Sequence, residues 1–159
     1  MWERMLASPS DVASLVGELV ALQRLIHSAG LPEGLPDMVA RLSTKLAACE
    51  ELPIAERDEA QAVLVDLPSG AATLHGDLHP GNVLLGPDGP VAIDWFDASI
   101  GHPLADVVRT SLLIRPGFTA DDQLHLPGAD QALLATIHRE YVERWGALLD
   151  SSWPEVRHW

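Results

Sequence analysis

Two carboxylates and one amide lie close together in the sequence, and their types suit a hard cation and a proton acceptor. Asp77 and Asn82 fall in residues 75–82, which read His-Gly-Asp-Leu-His-Pro-Gly-Asn, and Asp94 follows the apolar residues 91–93. Carboxylate and amide oxygens are ligands that Mg²⁺ prefers, together with the phosphates of a substrate. The glycines and the proline of residues 75–82 indicate a loop that holds such groups at its surface.

A β-hairpin is predicted to bring two of these side chains together. The short apolar runs 83–85 and 91–93 flank a turn signal rich in Gly and Pro. If the two strands pair about Asp88, Asn82 and Asp94 are equally far from the turn and meet at the open end of the hairpin. The amide and the carboxylate would then lie side by side.

This set of groups is the minimum that phosphoryl transfer asks of a protein. The protein must position the attacking hydroxyl, accept its proton and let Mg²⁺ neutralise the phosphates. In protein kinases the catalytic loop carries an Asp, four further residues and an Asn, and a separate metal-binding Asp follows. Asp77, Asn82 and Asp94 reproduce this order and spacing.

The same stretch resembles the aminoglycoside phosphotransferase and choline kinase-like enzymes. Residues 75–82 look like their catalytic-loop signature, Ile-Asp-Trp at 93–95 looks like their metal-binding motif, and residues 101–107 look like the segment that follows it. At position 102 that family often has Asp, whereas this chain has His102. The resemblance implies the C-terminal lobe of the kinase-like fold.

The resemblance also implies roles for the reactive side chains. Asp77 would be the catalytic base, and Asn82 and Asp94 would be Mg²⁺ ligands. His79 would lie near the transferred phosphate, where protein kinases place a lysine. The implied activity is ATP- and Mg²⁺-dependent phosphorylation of a hydroxyl group on a small molecule.

Two further residues are implied as supports of the site. Asp106 would brace the catalytic loop by accepting hydrogen bonds from its backbone N–H groups, and His75 would be structural. The resemblance does not identify the acceptor, because related enzymes use antibiotics, choline, sugars or amino-acid derivatives.

Mainly helical elements are predicted to position these loops. Apolar residues recur at three- and four-residue spacing from Val12 to Ile26, after a capping box of Ser8 and Asp11, and Gly30 is predicted to end this helix. Further helices are predicted at residues 37–48, 54–67, 105–114 and 129–149, and strands at 71–74, 83–85 and 91–93. The fold class is therefore α+β: a mainly helical C-terminal lobe with a small β-hairpin.

Composition excludes several classes of protein. The chain has 159 residues, of which 47% are apolar and 21% charged, so it is neither disordered nor of low complexity. A net charge of −13 argues against nucleic-acid binding and slightly favours a cationic acceptor such as an aminoglycoside.

No apolar run approaches the roughly 20 residues of a membrane span. One cysteine, Cys49, and no signal-peptide pattern indicate a soluble cytoplasmic protein.

The nucleotide-binding half of a kinase-like enzyme is not predicted in this sequence. Such enzymes use a Gly-rich loop and a strand lysine from a small N-terminal lobe to hold ATP. No Gly-x-Gly-x-x-Gly occurs, and the single lysine, Lys45, lies in a helical, Ala-rich segment. We therefore expect residues 1–159 to form the C-terminal lobe alone. The chain would then be a truncated product that is inactive by itself, or its N-terminal lobe would be supplied separately, and exposed apolar surface would favour self-association.

Two other interpretations remain open from the sequence. The chain would be a non-catalytic, pseudokinase-like interaction module or a remnant if the three site residues only cap turns. It would be a metal-dependent hydrolase if His75, Asp77 and His79, with Asn82, bind Zn²⁺ or Mn²⁺. The glycines and proline of this segment favour a loop over the strand that would align these ligands, and the other histidines are scattered.

Overall fold

A mainly helical α+β architecture surrounds the predicted site, as the sequence predicts. The computed structural model describes residues 1–117, 128 and 130–152, with side chains up to residue 148 in the last helix. Within these residues the α-helices are α1 (Trp2–Ala7), α2 (Val12–Ser28), α3 (Met38–Ala48), α4 (Ile54–Asp66), α5 (Pro103–Leu113) and α6 (Gln131–Ser152). The strands are β1 (Ala72–Leu74), β2 (Val83–Gly86), β3 (Gly89–Ala92) and β4 (Ser99–Gly101). None of the helices described here has the length and apolar character needed to cross a membrane.

Helices α2 and α6 form the centre of the hydrophobic core. The apolar stripe predicted for α2 is buried, and on α6 the side chains of Leu134, Ile137, Tyr141 and Trp145 pack against it. Both stripes follow the helical period, so each helix buries one face and leaves the other to solvent. Removal of this apolar surface from water is the main favourable term in the folding of the lobe.

The start of the chain differs from the predicted capping box. Residues 2–7 form α1, and a 3₁₀ turn, Pro9–Asp11, leads into α2. The Ser8 side chain makes no capping hydrogen bond, and the Asp11 carboxylate instead accepts two hydrogen bonds from the Arg4 guanidinium, at 3.0 and 3.1 Å. Helix α2 ends at Ser28, before Gly30. The pairing of Arg4 with Asp11 depends on the three-dimensional arrangement of α1 and the 3₁₀ turn, and local capping rules do not predict that arrangement.

Strand β4 pairs with β1 and was not predicted. The two strands are antiparallel, with Ala72 opposite Gly101 and Leu74 opposite Ser99. A Cβ atom at position 101 would lie 2.9 Å from the Met38 Cβ, so the glycine allows α3 to approach the sheet closely. This contact holds α3 beside the loops that follow β1 and precede β4.

The hairpin forms, but its register differs from the prediction by one residue. Gly86 pairs with Gly89, so Pro87 and Asp88 form a two-residue loop whose centre lies between them and not on Asp88. Gly89 has a φ of 117°, a value that L side chains rarely adopt. Two-residue loops are the commonest hairpin connections, which explains the tighter turn.

The changed register moves the two predicted ligands relative to each other. Ile93, and not Asp94, is the neighbour of Asn82 across the hairpin, and the Ile93 N–H donates to the Asn82 carbonyl oxygen at 2.9 Å. Asp94 follows in the left-handed conformation, with a φ of 63°. The backbone therefore bends at Asp94, immediately beyond the last hydrogen bond of the hairpin.

Candidate active site

Asp77 and Asn82 are brought together by the loop between β1 and the 3₁₀ turn Pro80–Asn82. The Asn82 Nδ2 donates to the Asp77 Oδ2 at 3.2 Å and to the Asp77 carbonyl oxygen at 3.0 Å. The other carboxylate oxygen, Oδ1, lies 3.4 Å from a guanidinium nitrogen of Arg109. The Asp77 carboxylate is thus held in one orientation by an amide and a cation.

Arg109 is a site residue that the sequence analysis missed. It lies on α5 three residues after Asp106, so both side chains project from neighbouring positions of one helix face. That spacing was the signal that could have found it. Its guanidinium remains 45% exposed while it contacts the Asp77 carboxylate.

The predicted cation ligands present oxygen atoms at the open end of the hairpin. The Nδ2 of Asn82 donates to Asp77, so its Oδ1 is the atom available to a cation. This oxygen accepts no hydrogen bond from any described residue. The Asp94 carboxylate is exposed and likewise has no hydrogen-bond partner within the described part of the chain. An amide oxygen and a carboxylate fit Mg²⁺, which keeps several water or phosphate ligands. The described residues contain no group of three or more His, Cys, Asp or Glu side chains that could hold a metal ion.

His75 joins the loop of Asp77 to the end of the hairpin. Its ring is buried, its Nδ1 accepts from the Asp77 N–H at 3.3 Å, and its Nε2 donates to the Ile93 carbonyl oxygen at 3.0 Å. The ring also packs on Trp95, with 4.6 Å between centroids. Metal binding by either ring nitrogen would break one of these hydrogen bonds, and this speaks against the hydrolase interpretation.

His79 lies inside the loop, beside the carboxylate of Asp77. Its Nδ1 accepts from the Gly81 N–H at 3.1 Å and so caps the 3₁₀ turn that carries Asn82. Its Nε2 lies 3.8 Å from the Asp77 Oδ2. The imidazole is buried at this position, and its role toward a phosphate stays a prediction.

Asp106 accepts hydrogen bonds from the loop and from α2. Its Oδ1 accepts from the Gly76 N–H at 2.7 Å, while its Oδ2 accepts from the His75 N–H at 3.4 Å, from the His27 Nε2 at 2.9 Å and from the Gln23 Nε2 at 3.2 Å. Burial raises the pKa of this carboxyl, but the contact with His27 and the hydrogen bonds from Gly76 and Gln23 together hold the pKa below its usual value.

A buried polar network continues from Asp106 into the helical core. The Gln23 Nε2 also donates to the Thr110 hydroxyl at 3.1 Å, and the Thr110 hydroxyl donates to the Leu78 carbonyl oxygen at 2.7 Å. The Gln23 Oε1 accepts from the Tyr141 hydroxyl at 2.5 Å and from the Trp145 Nε1 at 3.2 Å. Burial raises the pKa of Tyr141 well above its usual range, so its hydroxyl stays a donor. The network therefore ties α2, α5 and α6 to the loop that carries Asp77.

Gly76 allows a second loop to press against the first. It has a φ of 80°, and a Cβ atom there would lie 2.3 Å from the Asp97 carbonyl oxygen. The Asp97 carboxylate is held in turn by Arg41 and by the Lys45 Nζ, the latter at 2.9 Å. Burial raises the pKa of Asp97, but these two cations lower it by more, so its net pKa is below the usual value.

Comparison with known proteins identifies a family and similar solved structures. The model of the phosphotransferase enzyme family matches residues 3–158. The crystal structure of choline kinase LicA from Streptococcus pneumoniae is similar to the chain at 20% identity and a TM-score of 0.46, over 91% of this chain and 59% of that protein. The chain thus spans less than two thirds of the length of that structure. A search of curated proteins finds no match.

The contact at Gly76 predicts a large loss of stability on substitution. Gly76→Ala would place a methyl group against a backbone carbonyl in a left-handed conformation, and we expect the free energy of unfolding to fall by about 3 kcal/mol. Gly34→Ala is the matched control, because Gly34 has a φ of 86° with no atom within 4 Å of its Cβ position. It should lose only about 1 kcal/mol. Urea unfolding monitored by tryptophan fluorescence measures both, and equal losses would contradict the close contact.

The environment of Asp106 predicts a pH-dependent contribution to stability. Asp106→Asn should lower the free energy of unfolding at neutral pH by about 3 kcal/mol, because it removes a buried charge that four donors face. Since folding lowers the pKa of Asp106, its contribution is complete above the unfolded value of about 4 and is lost as the pH falls through the folded value. The difference between wild type and variant should therefore shrink on acidification. The exposed turn substitution Asp88→Asn is the control, and a difference independent of pH would be inconsistent with this account.

Proposed function

Because this chain belongs to the phosphotransferase enzyme family, we propose that it carries the catalytic and metal-binding loops for transfer of the γ-phosphoryl group of ATP to a small-molecule hydroxyl. The observation that carries the proposal is the oriented carboxylate of Asp77, held by Asn82 and Arg109 at the end of the hairpin. The buried Asp106 fixes the backbone of the same loop. These contacts supply the positioning on which phosphoryl transfer depends.

Asp77 is proposed as the general base. The acceptor hydroxyl gives its proton to the Asp77 carboxylate while its oxygen forms a bond to the γ-phosphorus of ATP. The bond between that phosphorus and the β–γ bridging oxygen breaks, and ADP leaves with the electron pair. The hydrogen bond from Asn82 and the contact with Arg109 orient the carboxylate, which is largely buried yet 16% exposed at the loop surface.

Asn82 and Asp94 are proposed to hold Mg²⁺ through the amide Oδ1 and the exposed carboxylate. When bound, Mg²⁺ would neutralise the nucleotide phosphates. The left-handed conformation of Asp94 supports the assignment, because non-glycine residues in this conformation concentrate at functional sites.

The hairpin offers an apolar surface suited to the rest of a nucleotide site. Leu84 and Val91 are cross-strand neighbours and both are more than half exposed, and Phe96, which follows the hairpin in the chain, is 86% exposed. A nucleotide site also needs a Gly-rich loop and a phosphate-binding lysine, and the 159 residues contain no Gly-x-Gly-x-x-Gly. We propose that a nucleotide-binding lobe outside these residues covers this surface and completes the site.

Removal of the proposed base tests the assignment of Asp77. Asp77→Asn keeps the shape of the side chain but cannot accept the proton, so kcat should fall by about 10²- to 10⁴-fold with little change in the KM for ATP. The assay follows radiolabelled phosphate from ATP into a panel of hydroxyl compounds, with the protein isolated from its own cells together with its bound partners. Asp88→Asn should retain full activity. Unchanged kcat in Asp77→Asn would exclude it as the base.

A second substitution tests the cation site separately from the chemistry. Asp94→Asn removes one charged oxygen, so binding of Mn²⁺ in the presence of a non-hydrolysable ATP analogue should weaken about tenfold, or about 1.4 kcal/mol. Electron paramagnetic resonance of free Mn²⁺ measures this directly. Asp88→Asn makes the same chemical change at the other end of the hairpin and should leave the affinity as it is. Equal Mn²⁺ affinities in the wild type, Asp94→Asn and Asp88→Asn would show that Asp94 is not a metal ligand.

A further inference from the structure

A small pocket lies between α3 and the loop that precedes Asp77. Its volume is about 230 Å³. Part of its lining is apolar and comes from three elements: Met38 and Leu42 of α3, Leu74 of β1 and Ala105 of α5. Such a mixture of apolar walls and a few polar groups is typical of small-molecule sites.

The charged side chains of the pocket are mostly basic. Arg41, Lys45 and Arg109 all line it, although the whole chain has only 10 Lys and Arg residues and a net charge of −13. Arg41 and Lys45 both contact one oxygen, Oδ1, of the single carboxylate of Asp97. Two cations thus share one anion, which leaves positive charge unmatched at this point.

Among the described residues, the second acidic residue of the pocket, Asp106, forms no ion pair with Arg41, Lys45 or Arg109. The oxygens of Asp106 are occupied by the donors of the catalytic loop and of α2, and His27 lies against its carboxylate at 2.9 Å. Its side chain has no exposed surface. The basic groups, by contrast, reach solvent, since 53% of the Lys45 side chain and 45% of the Arg109 side chain are exposed.

The basic groups also keep hydrogen-bond donors available. A guanidinium has five N–H donors and an ammonium has three. Arg41 uses one nitrogen for the Phe96 carbonyl oxygen and for Asp97, and Lys45 makes one hydrogen bond to Asp97. The remaining donors of Arg41 suit a planar carboxylate or a phosphate, which guanidinium groups bind through paired hydrogen bonds.

The pocket borders the proposed catalytic base through two lining residues, Gly76 and Arg109. Gly76 lines it and directly precedes Asp77, and Arg109 lines it while lying 3.4 Å from the Asp77 Oδ1. A compound with an anionic group near Arg41 and Lys45 would therefore place a neighbouring part of its structure beside Asp77.

We propose that this pocket, formed by α3, β1 and α5 around Arg41, Lys45 and Arg109, binds the phosphoryl acceptor and selects a hydroxyl compound that carries a carboxylate or phosphate group. That the bound compound is a phosphoryl acceptor rests on the proposed function. That the pocket binds an anion rests on the residues of the pocket alone. Arg41 and Lys45 share the single carboxylate of Asp97, so an anionic acceptor replaces the cationic one suggested by the net charge. The acceptor hydroxyl becomes a phosphate ester, its proton passes to Asp77, and ADP is the leaving group.

A matched set of compounds tests the preference for charge. Mandelate has a phenyl ring for the apolar wall, a hydroxyl and a carboxylate; 1-phenyl-1,2-ethanediol replaces the carboxylate by a neutral group, and 2-amino-1-phenylethanol by a cation. The same diol, phosphorylated on its terminal hydroxyl, represents the compounds that carry a phosphate group. Calorimetric titration of the native protein without nucleotide should show either anion binding at least tenfold more tightly than the diol and the amino alcohol. Added salt should weaken the binding of the anions but not of the diol.

Substitutions in the pocket locate the binding. Lys45→Gln should weaken the binding of mandelate about fivefold, and Lys45→Arg, which keeps the charge, should restore it. Arg41→Gln should weaken it more, because the paired donors are lost, and circular dichroism establishes whether that variant folds. Arg139→Gln removes an exposed cation from α6, far along the chain from this pocket, and should have no effect.

The possible results separate this proposal from the proposed function. Tighter binding of an anion that depends on Lys45 supports the pocket even if no phosphate is transferred, and the relative affinity of the two anions identifies carboxylate or phosphate as the preferred group. Phosphorylation of the diol or amino alcohol in preference to both anions would overturn the proposal while the phosphotransferase function stands. Absence of binding by all four compounds, or equal binding in Lys45→Gln, would also overturn it.

Discussion

The buried carboxylate of Asp106 is the interaction on which the geometry of the site depends. An ionised carboxylate without exposed surface is unfavourable unless donors replace its water. Here the donors are the N–H groups of His75 and Gly76, which belong to the loop, and the side chains of His27 and Gln23, which belong to α2. A different course of the loop would remove the donors of His75 and Gly76 from this buried charge, so the carboxylate favours the backbone conformation that presents Asp77.

The polar network makes the site a continuation of the helical core. Gln23 lies on the apolar stripe of α2, and its amide is shared by Asp106 and Thr110 on one side and by Tyr141 and Trp145 on the other. Because every one of these groups is buried, breaking one hydrogen bond leaves its partner without a replacement from water. The position of the loop that carries Asp77 therefore depends on the packing of α2, α5 and α6.

The sequence predicts best what depends on near neighbours in the chain. The long helices α2 and α6 follow from apolar periodicity, whereas α1 was not predicted. The site segment follows from the spacing of Asp77, Asn82 and Asp94. The register of the hairpin was wrong by one residue, because a turn signal rich in Gly and Pro does not fix the length of the loop. Arg41 and Lys45 meet Asp97 only through the packing of α3. Net charge does not predict such a pairing, because it sums over the surface and ignores which charges face one another.

The antiparallel pairing of β1 with β4 has a consequence for how the lobe opens. The ladder joins Ala72 to Gly101 and Leu74 to Ser99, and the chain between these strands, residues 75–98, contains the proposed base, both proposed metal ligands and the contact at Gly76. These residues form one closed loop, so local unfolding of the ladder would release all of them together. In hydrogen-exchange terms, we expect the segment to behave as one cooperative unit with a single opening free energy, so that the site is either assembled as a whole or absent.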